Sequence, residues 1–342
     1  MNRKTIIKNS LFALVLLIVV MVVIFSINDF KLIIESFRTI KLEYIGYASI
    51  LIIMYWIFWA LSLFFILKKY KSKLSDLDNF LISSCDLFFN GITPFSTGGQ
   101  PFQIYFMHRG GMRSSEATSA VMSKMIIYQI AIIFLGALAL FIGYKRVSDN
   151  NNVFTIFVIV GFLINLLILI VLILTSTSIK IKNLVLKAFY LLGKIKILTK
   201  FVSAKYERFE TFLEEFQASF IMLFKNPLKL YISLFFQTIS LLIMYFIPIL
   251  FLKSLNIEIS NNEIIYIISL SSLNYTFMSY IPTPGASLGA EFGFQTLLLT
   301  VSNVTSNIAV TVVLLWRLFT YYLSMLYGFV SYLILEHRLN KL

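Results

Sequence analysis

Two stretches decide how this chain folds: Asn90-Gly91-Ile92-Thr93-Pro94-Phe95-Ser96-Thr97-Gly98-Gly99-Gln100-Pro101 and Tyr280-Ile281-Pro282-Thr283-Pro284-Gly285-Ala286-Ser287-Leu288-Gly289-Ala290-Glu291. Together they hold five of the 14 glycines and four of the six prolines. Each interrupts an apolar region of membrane-crossing length. A lipid-facing helix does not tolerate such a run, because each unpaired backbone N–H or C=O in hydrocarbon costs several kcal/mol. Non-helical backbone at membrane depth survives only where protein or a water-filled cavity surrounds it. A matched pair of broken segments, one in each half, is the sequence mark of a transporter-like binding site.

Around these two stretches the chain is built for lipid. It is 59% hydrophobic and only 13% charged, with a mean hydropathy of +0.87. A soluble domain is nearer 45–50% apolar and about 25% charged. Windows such as 10–27 and 153–174 are almost free of charge and long enough for a hydrocarbon core of about 30 Å. The expected fold is an all-α polytopic membrane protein forming one integral membrane domain. It has six full spans, at about 10–27, 45–67, 115–143, 153–174, 227–252 and 307–335, and two re-entrant broken-helix hairpins at 80–106 and 263–302. The first span resembles a signal peptide behind Arg3, Lys4 and Lys8. No small-residue cleavage site follows it, so it reads as a retained helix.

Charge gives the orientation. The net charge of +13 comes from basic residues beside apolar segments, which fits positive-inside topology and anionic headgroups better than nucleic acid. Arg3, Lys4 and Lys8, then Lys68, Lys69, Lys71 and Lys73, then the lysine-rich 180–208 stretch, and last His337, Arg338 and Lys341 all mark the cytoplasmic side. Both termini are then cytoplasmic. The first hairpin enters from the cytoplasm and the second from outside, which is the pattern of an inverted repeat. Within the cytoplasmic loop at 175–226, Phe209, Phe212, Leu213, Phe216 and Phe220 recur at helical spacing opposite Glu210, Glu214 and Glu215. They describe an amphipathic helix, lying on the membrane surface or packed on the rest of the protein.

Four ionisable residues fall inside apolar segments, where each costs roughly 2.5–3.5 kcal/mol near the centre. Asp86 precedes the first break, Glu291 ends the second, Lys124 sits in the third span and Arg317 in the sixth. Two acids and two bases fit pairing in a shared polar cavity; buried ion pairs that lock helices together are the alternative. Gln103, Gln129, Gln237 and Asn274 read as interhelical hydrogen-bond partners. Gln100 stands apart because it follows the Gly98-Gly99 turn, where backbone N–H groups of Thr97, Gly98 and Gly99 could form an anion-holding nest for a lipid phosphate. No P-loop, zinc-protease or G-x-S-x-G pattern is present. The single cysteine, Cys85, excludes an internal disulfide or a cysteine metal cage. No cofactor or metal is expected.

The stretch Thr93 to Pro101, followed by Gly111 and by Ser115-Glu116-Ala117, resembles the first signature of the lysylphosphatidylglycerol synthase transmembrane region, a flippase-like family. Pro282-Thr283-Pro284-Gly285, with Gly289 and Glu291, is similar to the second. The resemblance covers about 10–335. That family includes the membrane half of the multiple peptide resistance factor. There a cytosolic domain transfers an amino acid from charged tRNA to phosphatidylglycerol, and the membrane half flips the product outward. Gln100 departs from the acid often found at its place. No acyltransferase-like domain follows the last span in this sequence.

The resemblance implies a bacterial plasma-membrane protein that flips phospholipid, phosphatidylglycerol or its lysyl ester, and so contributes to resistance against cationic antimicrobial peptides. The residues expected to meet the lipid are Asp86, Thr93, Pro94, Thr97, Gly98, Gly99, Gln100, Lys124, Pro282, Pro284, Gly285, Glu291 and Arg317. Two alternatives stand beside this reading. One is phosphatidylglycerol lysyltransferase activity with a separate cytosolic aminoacyltransferase partner. The other is a non-transporting scaffold acting through the basic 180–208 loop.

Overall fold

The computed structural model describes residues 30–68, 70, 72–150, 152–194, 199–278 and 281–340. The expected first span at 10–27 lies outside them, as do Tyr280 and Lys341. The described chain is all-helical. A short helix α1 (Phe30–Arg38) precedes the long α2 (Leu42–Leu67). The first hairpin follows, with arms α3 (Asp76–Gly91) and α4 (Gly99–Arg109). Next come α5 (Ser114–Asn150), α6 (Asn152–Thr177), α7 (Ile179–Leu192), α8 (Thr199–Phe224) and α9 (Pro227–Ser254). The second hairpin has arms α10 (Asn261–Met278) and α11 (Gly289–Leu298). The last helix runs as α12 (Ser306–Arg317), a π-helical stretch Leu318–Leu323 and α13 (Ser324–Leu339).

Five helices are long and apolar enough to cross a membrane: Leu42–Leu67, Ser114–Asp149, Thr155–Thr177, Pro227–Ser254 and Ser306–Leu339. They coincide with the five expected spans among the described residues. The third and last extend further than hydropathy marked them, because their polar ends are helical too. Both broken segments are helical hairpins, as expected. Proline breaks each one: Pro94 and Pro284 push the residue before them out of the helical region. Thr93 sits at φ −119°, ψ 145° and Thr283 at φ −112°, ψ 153°. At the start of the first hairpin, Ser75 and Asp78 form a reciprocal capping box that fixes where α3 begins.

The two hairpins enter from opposite ends of the molecule. Helix α5 begins just after the base of the first hairpin. Its far end reaches the base of the second, where Arg146 Nη2 meets Glu263 Oε1 at 3.4 Å and donates to Ser302 Oγ at 3.1 Å. Its 37 residues span about 55 Å at the helical rise, well beyond a hydrocarbon core. The 34-residue last helix runs the opposite way. It begins beside the second hairpin and ends on the base of the first, where Arg109 Nη1 meets Glu336 Oε1 at 2.8 Å and Arg338 Nε meets Asp78 Oδ1 at 2.5 Å. Packing is reciprocal in the same sense. Helix α2 lies along α9, α3 lies against α13, and α10 lies against α5. Such exchange of equivalent partners is what two repeats related by a two-fold produce.

The apolar core divides at the level where the hairpin tips meet. Along α5, buried residues up to Ile127 belong to one cluster with α3 and α4, and those from Ala131 belong to another with α10 and α11. On α2 the division falls between Trp59 and Leu63. Helix α8 turns its aromatic face inward: Leu213 and Phe216 are buried, and the helix packs on α5, α6 and α7. The helix is thus packed on the rest of the protein, as one of the two readings expected.

Candidate functional site

The two hairpin tips touch each other, and a cavity of about 410 Å³ lies between them and the spans around them. Each tip is a Thr-Pro turn closed by the same bond. Ser96 N donates to Thr93 O at 3.3 Å, and Ala286 N donates to Thr283 O at 3.0 Å. Both turns then enter left-handed backbone, with Phe95 at φ 56° and Ser96 at φ 52°, and Gly285 at φ 60° and Ala286 at φ 54°. Tyr321, on the π-helical stretch, joins the tips. Its hydroxyl donates to Gly91 O at 2.9 Å, and its ring lies against Gly285. π-helical insertions recur at functional sites because they redirect side chains within an otherwise regular helix.

All four intramembrane charges are buried, and they pair within their own halves. Lys124 Nζ donates to Asp86 Oδ2 at 2.9 Å, and Trp59 Nε1 donates to Asp86 Oδ1 at 2.9 Å. The ammonium also lies 4.3 Å from the centre of the Trp59 ring, a cation–π contact that adds to its attraction for the carboxylate. In the second half, Arg317 Nε donates to Glu291 Oε1 at 2.6 Å and Nη2 donates to Gly285 O at 2.7 Å. The guanidinium lies 4.7 Å from the Tyr321 ring centre. Among the described residues, Glu291 Oε2 has no hydrogen-bond partner. The alternatives of cavity and helix-locking pairs are therefore not exclusive: Asp86, Lys124 and Arg317 line the cavity and are ion-paired as well.

The other expected residues divide between wall and scaffold. Thr97, Gln100 and Gly285 line the cavity, and Gln103 does so while donating to Ile82 O at 3.2 Å. Thr93, Pro94, Gly98, Gly99, Pro282, Pro284 and Glu291 are not part of its lining. The anion nest expected at Gly98 and Gly99 is closed from inside. Gly98 N donates to Thr93 Oγ1 at 2.9 Å and Gly99 N donates to Asn90 Oδ1 at 2.8 Å. Both positions require glycine because α4 starts against α3: a Cβ at Gly98 would lie 2.6 Å from Phe89 O, and one at Gly99 would lie 2.6 Å from Asp86 Cβ. These glycines set the hairpin's approach and thereby the position of Asp86.

Among the weaker polar candidates, Gln129 lines the cavity and donates to Asn165 Oδ1 at 3.0 Å, the interhelical role expected of it. Gln237 and Asn274 are buried outside the lining. Sequence reasoning missed the aromatic wall. Trp59, Tyr55, Tyr128, Tyr275 and Tyr321 all face the cavity. The available signal was position: aromatic belts place Trp and Tyr at span ends, whereas Tyr55 and Trp59 fall in the middle of α2 and Tyr128 in the apolar body of α5.

The chemistry of the site follows from its walls. Buried charges with oriented partners, aromatic faces and amide groups surround a space within the usual range for ligand pockets. Neither a curated protein nor a solved structure matches the chain. The family described as the lysylphosphatidylglycerol synthase TM region matches residues 10–328, and the chain belongs to that family of membrane proteins.

Proposed function

We propose that this protein carries phospholipid headgroups across the membrane through the cavity between the hairpin tips, with phosphatidylglycerol or its lysyl ester as the lipid. The observation that carries this reading is the cavity itself, a charged and aromatic chamber where hairpins from opposite ends of the molecule meet. Arg317 is the group suited to the lipid phosphate. Glu291 and Gly285 O take its Nε and Nη2 donors, and its Nη1 has no hydrogen bond among the described residues. Asp86 faces the same space and suits the amine of an aminoacylated headgroup. Lys124 balances that carboxylate when no lipid is bound. The reading places the protein in a bacterial plasma membrane with both termini cytoplasmic, where outward movement of a cationic lipid would lower the attraction for cationic antimicrobial peptides.

Purified protein in liposomes containing tail-labelled phosphatidylglycerol tests this directly, with dithionite bleaching as the readout of transbilayer movement. Movement faster than in protein-free liposomes is expected, and Asp86→Asn or Arg317→Lys should slow it by at least tenfold. Movement no faster than in protein-free liposomes, for phosphatidylglycerol and lysyl-phosphatidylglycerol alike, would overturn the proposal.

A further inference from the structure

We propose that the outward face of α7 docks on anionic phospholipid headgroups and holds this part of the protein at the membrane surface. The helix starts two residues after Thr177, the end of a candidate span, so its first turn is held where that span leaves the hydrocarbon. Its inner face is settled by contacts to α8. Leu186 is buried, Lys182 Nζ meets Glu214 Oε1 at 3.2 Å, and the Phe189 and Phe209 ring centres lie 4.4 Å apart.

The opposite face is a stripe of two residue types. Lys180, Leu184, Lys187 and Leu191 follow one another at steps of four, three and four, which keeps them on one side of α7, and Lys194 lies in the turn two residues beyond its end. All five are exposed, Leu184 at 60% and Leu191 at 46%, and neighbouring Ile179 reaches 68%. Lys180, Lys187 and Lys194 form no ion pair among the described residues. Water alone does not account for large leucines in such a stripe, and a buried protein interface does not account for unpaired lysines. The boundary between acyl chains and anionic headgroups accommodates both: leucines dip inward while lysines extend their amines to phosphate. The sequence pattern offered the α8 segment two roles, on the membrane surface or packed on the protein, and marked 180–208 as basic. The structure turns the aromatic face of α8 inward and leaves α7 with the basic, apolar face.

The test uses the full-length protein with a spin label at Leu184→Cys, the native Cys85 being buried. It is placed in phosphatidylcholine vesicles with or without an equal share of phosphatidylglycerol. With phosphatidylglycerol present, the label should be several-fold more accessible to oxygen than to a water-soluble nickel chelate, and this ratio should fall when phosphatidylglycerol is omitted. Lys180→Glu with Lys187→Glu should shift the label toward water in the mixed vesicles. A label as accessible to nickel as one at the exposed Arg113→Cys overturns the proposal, as does a ratio indifferent to phosphatidylglycerol. The lipid comparison requires no charge-reversed variant, so a folding defect in that variant leaves the result decisive. Lipid movement plays no part in the readout, so the outcome is independent of the transport reading.

Discussion

Phe95 and Gly285 occupy the same place in two turns whose backbone angles agree within a few degrees, φ 56° and ψ 14° against φ 60° and ψ 19°. Their surroundings are opposite. Residues 94–97 of the first tip are exposed, whereas Pro284, Gly285, Ala286 and Ser287 of the second are buried. The first turn is held by its own neighbours, through Thr93 and Asn90 reaching the N–H groups of Gly98 and Gly99. The second has local bonds too, Thr283 Oγ1 to Ser287 O at 3.0 Å and Ser287 Oγ to Pro284 O at 2.9 Å, and is also held from outside, by Arg317 on its carbonyl and Tyr321 on its glycine. Both turns are therefore stabilised locally, and the second carries tertiary support in addition. The second tip is a fixed wall of the cavity, and the first is its exposed edge.

Removing the outside support tests this contrast with the largest effect. Arg317→Gln leaves the Glu291 carboxylate buried without its partner, which costs about 3–5 kcal/mol when a buried pair is broken. The loss should appear as a lower midpoint in denaturant unfolding of the detergent-solubilised protein. Adding Glu291→Gln should recover most of it, because a neutral amide has no charge to desolvate. If the double variant is no more stable than Arg317→Gln alone, the bond to Gly285 O, not the ion pair, holds the second tip.

Gly285→Ala is the next test. The added methyl would lie 2.3 Å from Tyr321 Cε2, in a turn already at positive φ, so the Tyr321 ring must move. Overpacking of this kind costs about 1–3 kcal/mol. Because Tyr321 also donates to Gly91 O, displacing it should loosen the contact between the tips, read as faster hydrogen exchange at residues 91–98. Unchanged exchange there would mean that the two tips are held together without Tyr321.

How far each half could be read from sequence follows the same local–tertiary divide. Proline and glycine act on their immediate neighbours, so the two breaks, and the spans flanking them, were legible as they stand in the structure. The four charges were legible because ionisable groups in apolar segments are rare. Their pairing was not, since which acid meets which base depends on how α3 lies against α5 and α11 against the last helix. The reading of Gly98 and Gly99 as a phosphate nest missed a competition that the sequence leaves open. Asn90 stands nine residues before Gly99 and Thr93 five before Gly98, and their side-chain oxygens take these amides. The aromatic wall was hidden for a different reason. A tyrosine inside an apolar span reads as ordinary bulk until the tertiary fold shows that it faces a cavity.

Phe95 holds left-handed backbone without being glycine, at a cost of about 1–3 kcal/mol, and the residue is 54% exposed, so little burial offsets that strain. Phe95→Gly should then leave stability within about 1 kcal/mol of the parent or slightly above it, since relief of strain is countered by the greater freedom of glycine in the unfolded chain. Gly285→Ala at the same backbone position is expected to cost about 1–3 kcal/mol instead, and the same unfolding measurement reads both. Phe95 lies in the lining at the exposed edge of the cavity, where the proposed lipid path would meet its side chain. In the liposome assay, Phe95→Gly should therefore change the rate of lipid movement by more than its effect on stability accounts for. A variant that moves lipid at the parental rate would make Phe95 a tolerated strain instead of a functional edge, and would return the asymmetry of the two tips to packing alone.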